Sequence, residues 1–307
     1  MLSKAPFEIP RYLLNLCKDV PAVKTAVAGA DHMVALESAR QATEQGLIDP
    51  ILVGDGDHIR TLARTIEWDI TGIRIVDAGG EDRAPAAAVA VARGGEAAAL
   101  MKGHVHTDAL MSAVVNRDTG LRTDRRLSHI FHMTVPGVDR PLMITDGAVN
   151  IAPDVKTKIH IVKNAVDLAH ALGNKTPRVA MLSGTESVLP NMPSSVEAAE
   201  VVKIAASGEI KNALVDGPFA FDNAVSPEAA RLKGVTSPVA GNADILAVPN
   251  IETGNGLFKM MVYFMSATAA GIVMGATVPV MLTSRADPPQ ARVASAALAC
   301  LVANHQS

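Results

Sequence analysis

The sequence predicts an α/β protein of two domains with mainly parallel sheets, and three observations carry that prediction. Short apolar runs alternate with helical patterns along most of the chain, the signature of βαβ units. Of the 307 residues, 49% are hydrophobic but only 3% are aromatic. The core is therefore built from Ala, Val, Ile, Leu and Met, which suits strands covered by helices on both faces. Between 127 and 145 the alternation gives way to two successive strands joined by Pro136-Gly137, where a second domain begins.

The first predicted helix covers 8–18, with Ile9, Leu13, Leu14 and Cys17 on one face. A strand at 25–28 follows, and Asp31 is placed to cap a helix that stops near Gly46. Next come a strand at 50–53, the turn Gly54-Asp55-Gly56, a helix at 57–66 and a strand at 73–76. An Ala/Val-rich helix at 84–93 ends at Gly94-Gly95, and a strand at 97–101 leads into the loop Gly103-His104-Val105-His106. Thr107 or Asp108 caps a helix to about Asn116. After the strands 127–135 and 141–145, a long helix is expected at 154–172, then strand 178–182, helix 194–206, strand 213–215 and a short helix at 227–232. A strand at 244–248, a helix at 254–266, strands at 271–275 and 278–282, and a final Ala-rich helix after Pro288-Pro289 complete the pattern.

The net charge of −3 argues against a nucleic-acid partner, which needs a basic surface. The two cysteines, Cys17 and Cys300, fall in predicted helices and read as buried small hydrophobes rather than a disulfide or metal pair. That usage fits a reducing cytoplasm. Residues 1–10 carry Lys4 and Glu8 and have no apolar core of signal-peptide length. The most apolar stretch, 257–282, is interrupted by Lys259, Gly271, Gly275 and Pro279, whereas a membrane span needs ~20 uninterrupted apolar residues. The expectation is a soluble cytoplasmic protein without a membrane partner.

Chemistry in open α/β sheets gathers outside the carboxyl ends of strands. Four predicted strand ends carry polar clusters: Asp146 to Asn150, Asp216 to Asn223, Asn250 to Gly256, and Thr283-Ser284-Arg285 with Asp287. The third places Thr253, Gly254 and Asn255 at a predicted helix start, where backbone N–H groups face an anion. Each cluster also has a plain reading. Asp146 or Asp154 serves as a helix cap, Asp216-Gly217-Pro218 as a turn, Asn255 as a cap and Arg285 as half of a surface ion pair. Their recurrence at one kind of topological position favours a site. His104, His106, His129 and His132 lack a third ligand at metal spacing and read as structural or pocket-lining. No Gly-rich dinucleotide or nucleoside-triphosphate fingerprint is present.

In order along the chain stand Met101-Lys102-Gly103 with Val105-His106-Thr107, Gly120-Leu121-Arg122-Thr123 with Leu127-Ser128-His129, and Thr145-Asp146-Gly147-Ala148-Val149-Asn150 with Pro153-Asp154. Then come Asp216-Gly217-Pro218-Phe219-Ala220-Phe221-Asp222-Asn223-Ala224, Gly241-Asn242-Ala243-Asp244-Ile245-Leu246, Pro249-Asn250-Ile251-Glu252-Thr253-Gly254-Asn255, and Leu282-Thr283-Ser284-Arg285-Ala286-Asp287. This ordered set resembles the phosphate acetyltransferase and phosphate butyryltransferase family over almost the whole length. The resemblance implies an isocitrate/isopropylmalate dehydrogenase-like fold and a homodimer. It implies a discontinuous first domain (1–138 plus 287–307), a second domain (139–286) and an active site in the cleft between them. The implied reaction is reversible transfer of a short acyl group between coenzyme A and phosphate. It proceeds by direct attack in a ternary complex, with no metal and no cofactor beyond the coenzyme A substrate.

Under that resemblance Arg285 anchors the phosphate, Ser284 donates to the developing oxyanion, and Asp287 is the candidate base or thiol orienter. Arg122, Asp146, Asn150, Asp216, Asn250, Thr253, Gly254 and Asn255 are the expected substrate-binding residues. Acetyl-transferring members carry a carboxylate a few residues beyond the Ser-Arg pair, where this chain has Pro288-Pro289-Gln290-Ala291. They also carry an Arg in the helix after the Met101-Lys102-Gly103 loop; Arg117 and Arg122 are the nearest cations here, and Arg122 is taken as its counterpart. Both departures lean toward the butyryl branch. The alternatives are a non-catalytic acyl-CoA or acyl-phosphate binding protein, and an NAD- and metal-dependent decarboxylating dehydrogenase of the same fold.

Overall fold

The structure, a computed structural model, describes residues 2–283 and 287–306. The chain forms two compact units: a flanking unit, Glu8–Arg125 with Ala270–Ser307, and a central unit, Met1–Phe7 with Arg126–Ala269. These divisions fall earlier in the chain than the 138/139 and 286/287 boundaries expected from the sequence. The strand that starts at Ser128 belongs to the central unit, and the chain from Ala270 onward belongs to the flanking one.

The flanking unit opens with α1 (Arg11–Cys17), β1 (Val23–Ala28), α2 (Met33–Glu44), β2 (Ile48–Gly54), α3 (Gly56–Thr65), β3 (Ile75–Asp77), α4 (Arg83–Arg93), β4 (Ala99–Lys102) and α5 (Thr107–Val115). The central unit contributes β5 (Ser128–Thr134), β6 (Leu142–Thr145), α6 (Val155–Ala171), β7 (Arg178–Leu182), α7 (Pro193–Ile204), β8 (Leu214–Phe219), α8 (Phe221–Val225), α9 (Pro227–Leu232), β9 (Ile245–Ala247) and α10 (Ile251–Met265). The chain then adds β10 (Thr268–Met274), β11 (Val280–Met281) and α11 (Pro289–Gln306).

In the flanking unit the strands lie in the order β3-β2-β1-β4-β11-β10, parallel except that β10 runs against β11. The register sets Val27 opposite Leu52 on one side and Met101 on the other. Helix α11 is apolar around most of its circumference, as a helix enclosed on all sides must be. Ala294, Ala296, Ala297, Leu298 and Cys300 are fully buried, and the helix packs on α1, α2, β1 and β4. Its contact with α1 brings Cys17 and Cys300 into thiol hydrogen-bond contact, both free and buried. Hydrogen bonding to Cys300 and burial push the Cys17 thiol up, while hydrogen bonding to Cys17 lowers that of Cys300. Two cysteines remote in sequence are thus neighbours in space.

The central unit orders its strands β5-β6-β9-β7-β8. The β5–β6 hairpin is antiparallel and turns at Gly137, whose φ of 76° suits a residue without a side chain; the other pairs are parallel. Phe131, Met133, Ile144, Leu182, Phe219 and Phe258 pack together in the core, with Phe131 stacked on Phe258 at a ring separation of 3.9 Å. Asp244, just before β9, takes a two-pronged grip from Arg178 at 3.0 and 2.9 Å and also accepts the Arg178 backbone N–H at 2.9 Å. The pairing pulls the Asp244 carboxyl down against the opposing effect of burial and raises Arg178.

Several boundaries differ from the sequence reading. β11 is two residues long rather than spanning 278–282, because Pro279 has no N–H to add to a ladder. α10 begins at Ile251 rather than 254, because Asn250 supplies the cap that the sequence reading gave to Asn255. Asp216, Gly217 and Pro218 lie inside β8 rather than after it, and α8 was not anticipated. Among the described residues no helix is long and apolar enough to cross a membrane.

Candidate functional site

In the central unit β6 and β9 are parallel neighbours, with Thr145 opposite Ala247, so their carboxyl ends share one edge. The Val248 N–H donates to the Thr145 carbonyl at 2.8 Å and continues the pairing past the last strand residue. Beyond it Asp146, only 2% exposed, turns back on its own loop. Its carboxylate accepts the backbone N–H groups of Ala148, Val149 and Asn150 at 2.9, 3.0 and 3.1 Å and the Asn150 Nδ2 at 2.6 Å. Asn150 Nδ2 also donates to the Leu127 carbonyl at 2.8 Å. A buried carboxylate needs such donors, and here they hold the loop closed.

The loop after β9 locks onto the loop after β6. Asn250 caps α10 by accepting the Thr253 N–H at 3.0 Å and its hydroxyl at 2.6 Å. A Cβ on Gly254 would stand 2.7 Å from the Asp146 carbonyl oxygen and 2.9 Å from the Gly147 Cα, so only glycine permits this approach. Gly147 in turn sits where a Cβ would meet the Phe131 ring at 2.8 Å. Asn255 Nδ2 reaches the Gly147 carbonyl at 3.5 Å. The expected exposure of N–H groups to an anion is corrected here. The Ile251 N–H donates to the Ile151 carbonyl at 2.9 Å, that of Thr253 to Asn250, and that of Gly254 to the Asn250 carbonyl at 3.3 Å.

The structure thus brings together Asp146, Asn150, Asn250, Thr253, Gly254 and Asn255. Asp216 lies apart from them on the edge strand β8, opposite Ala180, and its Oδ1 accepts the Gly217 N–H at 2.8 Å. Asp222 pairs with Lys233 at 2.9 Å. His129 and His132 are buried in β5, and burial holds His132 down at about 4, so it stays neutral. Asp154 caps α6 through the Thr157 N–H at 2.8 Å, its plain reading.

The flanking unit carries the remaining candidates. Arg122 is exposed and bridges Ala276, with the neighbouring Thr123 hydroxyl donating to the Gly275 carbonyl at 2.7 Å. Ser284 and Arg285 lie outside the described residues. Asp287 acts on the Arg292 guanidinium, which burial pushes down and Asp287 pulls up.

A cavity of ≈ 120 Å³ opens at the carboxyl ends of β1, β4 and β11. The chain leaves β1 toward β2 on one side and leaves β4 toward the opposite side, so β1 and β4 flank a topological switch point, where α/β sheets form crevices. Its wall includes His32, Ser38, Lys102, His104, Thr283 and Arg292. Gly103 allows the turns after β1 and β4 to meet, since a Cβ there would lie 2.5 Å from the carbonyl oxygens of Ala28 and Gly29. The His104 N–H donates to the Gly29 carbonyl at 3.0 Å, and its ring stacks on that of His32 at 3.7 Å. His32 accepts the Val34 N–H at Nδ1, 3.3 Å away, which places the proton of a neutral ring on Nε2. The sequence reading quoted Lys102 and His104 in motifs but gave Lys102 no role, and Arg292 was missed. The available signal was a lysine ending the otherwise apolar strand Ala99–Lys102.

The family model described as phosphate acetyl/butaryl transferase matches residues 80–300. A phosphate acetyltransferase of Rhizobium meliloti is 48% identical over 298 residues, covering 97% of this chain and 94% of the relative. A phosphate butyryltransferase of Clostridium beijerinckii is 44% identical over 291 residues, covering 95% of this chain and 96% of the relative. The crystal structure of a branched-chain phosphotransacylase from Enterococcus faecalis V583 superposes with a TM-score of 0.80 at 32% identity, covering 92% of this chain and 99% of that one.

Proposed function

Because this chain belongs to the phosphate acetyl/butyryl transferase family, we propose that it moves a short acyl group reversibly between coenzyme A and inorganic phosphate. The observation that carries the reading is near-full-length similarity, in both directions, to relatives named for that activity. In the direction that consumes acyl phosphate and forms acyl-CoA, the thiol sulfur of coenzyme A attacks the acyl carbon. A C–S bond forms, the C–O bond to phosphate breaks, and phosphate leaves with the bonding pair. The thiol proton passes to Asp287, since a thiol of pKa ~8.5 is mostly protonated at neutral pH. Ser284 donates to the oxyanion that develops on the carbonyl. Arg285 grips the phosphate through two parallel N–H bonds, and Arg122 supplies a further cation to the anionic substrates. Asn255 and Asp216 contact substrate, while Asp146, Asn150, Asn250, Thr253 and Gly254 fix the loop geometry around it.

The protein acts in the cytoplasm as a homodimer in this reading. Its two buried cysteines are free, as suits a reducing compartment. Helix α10 exposes Met260, Tyr263, Phe264 and Met265, and Leu2 lies beside them with its N–H on the Tyr263 carbonyl at 3.0 Å. A contiguous apolar patch of this kind marks an interaction surface. The activity is tested by thiol release from acetyl-CoA and butyryl-CoA with and without phosphate. The reading expects release that depends on phosphate, and its absence with every short acyl-CoA overturns it. Light scattering on the purified chain reads the dimer.

A further inference from the structure

We propose that Cys17 and Cys300 form an oxidation site, at which a hydroperoxide converts the two thiols to a disulfide that pins α1 to α11 within the flanking unit. The inference goes beyond the acyltransferase reading and does not depend on it.

The chain has two cysteines, and both are free and buried. The fold sets each sulfur against the segment that carries the other. Cys17 Sγ lies 3.7 Å from the carbonyl oxygen of Ala297, one turn before Cys300 on α11. Cys300 Sγ lies 3.6 Å from the carbonyl oxygen of Pro21, just beyond the end of α1. Between these two contacts the thiols hydrogen-bond to one another. Such a pair is already placed for a bond, whereas sulfurs that point apart cannot be bridged without backbone movement. The helix on one side is easily lifted. α1 has seven residues, no side-chain cap at its N-terminus, and Leu13 and Cys17 as its buried residues. So short a helix is marginal by itself, and elements near a chain end open locally at low cost. Opening of α1 uncovers Cys300 to a molecule as small as hydrogen peroxide.

Cys300 is the attacking sulfur. Hydrogen bonding to Cys17, then to the Val23 backbone and the Asn304 amide, lowers its thiol against the opposing effect of burial, whereas the Cys17 thiol is raised. The thiolate is the nucleophile. Its sulfur attacks a peroxide oxygen, the O–O bond breaks, and water or an alcohol leaves with the Cys300 proton, giving a sulfenic acid. The Cys17 sulfur then attacks the Cys300 sulfur. The S–S bond forms, the S–O bond breaks, and hydroxide leaves as water with the Cys17 proton. Two electrons and two protons pass from the thiols to the peroxide, and a dithiol reductant reverses the change.

The test exposes the folded full chain to hydrogen peroxide, blocks remaining thiols with N-ethylmaleimide, and reads the intact mass and the tryptic peptides. The expected product is lighter by two hydrogens, takes up no maleimide and runs as a single chain on a non-reducing gel. It yields peptides 12–18 and 293–307 joined until dithiothreitol separates them. A cross-link between the two ends of the chain should raise the melting temperature by roughly 5–15 °C, and dithiothreitol should abolish the rise. Cys17→Ser keeps a donor beside Cys300, and after peroxide dimedone should label its Cys300 about 5-fold faster, or more, than it labels Cys17 in Cys300→Ser. The proposal is overturned if both thiols survive the oxidant until urea unfolds the whole chain, or if the cross-link joins two chains. It is equally overturned if Cys300 passes to sulfinic acid without a disulfide, or if the oxidised chain melts at or below the reduced one. Faster labelling of Cys17 overturns the order of attack. The wild-type mass and melting readings need no variant, so they decide the proposal where a serine fails to fold in the core, and none of them depends on turnover.

Discussion

Replacing Gly254 by alanine probes the junction between the loops after β6 and β9. The added methyl would stand 2.7 Å from the Asp146 carbonyl oxygen, 2.9 Å from the Gly147 Cα and 3.1 Å from the Val248 Cγ2. Two of these are backbone atoms, and both belong to a loop already fixed by the donors on the Asp146 carboxylate. Neither can move without breaking that set. Overpacking of this kind costs about 1–3 kcal/mol. At roughly 2–4 °C per kcal/mol for a domain of this size, the melting temperature should fall by about 2–12 °C. Gly256 lies two residues on in the same helix, and a Cβ there meets nothing within 4 Å. Gly256→Ala should instead stabilise by about 0.5–1 kcal/mol, the propensity gain alone. Thermal and urea denaturation of both variants, beside kcat, makes the comparison. A Gly254→Ala protein as stable as wild type, or indistinguishable from Gly256→Ala, would refute the close-approach argument.

His132 gives a pH prediction. Its folded value of about 4 lies below the ordinary 6.5, so the unfolded chain takes up the proton first as pH falls. The associated stability is whole above 6.5 and is lost as pH falls toward 4, by about 3 kcal/mol at 1.36 kcal/mol per pH unit; His132→Asn should flatten that limb of the urea midpoint against pH. Asp244→Asn, which weakens the grip of Arg178, should lower stability by about 1–3 kcal/mol, and an unchanged urea midpoint would show the pair to be idle. Ser284→Ala should lower kcat by ~10²–10³ with coenzyme A binding retained, and loss of binding together with turnover would assign Ser284 to substrate affinity instead.

The alternation of apolar runs was enough to find most strands, because β1, β2, β4 and β7 are buried on both faces and carry few polar residues. Boundaries failed where a side chain acts at a distance of a few residues. Asn250 caps α10 from outside the apolar pattern, so Ile251, Glu252 and Thr253 lie inside the helix rather than before it. The polar clusters at Asp146 and Asn250 were visible as candidates, but their partners were not. Asp146 has the composition of a ligand-binding carboxylate and spends its oxygens on its own loop. The Lys102 and Arg292 cavity was hidden for the opposite reason: its residues come from β4 and α11, remote in sequence, and only the strand order brings them to one crevice. The proximity of Cys17 and Cys300 has the same origin. The lean toward butyryl transfer finds no support in the comparisons, where a relative named for acetyl transfer is 48% identical and one named for butyryl transfer 44%.

The measurement that bears most directly on the account is the initial rate of coenzyme A thiol release across a series of acyl-CoA esters, from acetyl through butyryl to longer chains, with phosphate varied. The account predicts saturable release that requires phosphate and yields acyl phosphate in equal amount. Coenzyme A binding without phosphate-dependent release from any member of the series would contradict it.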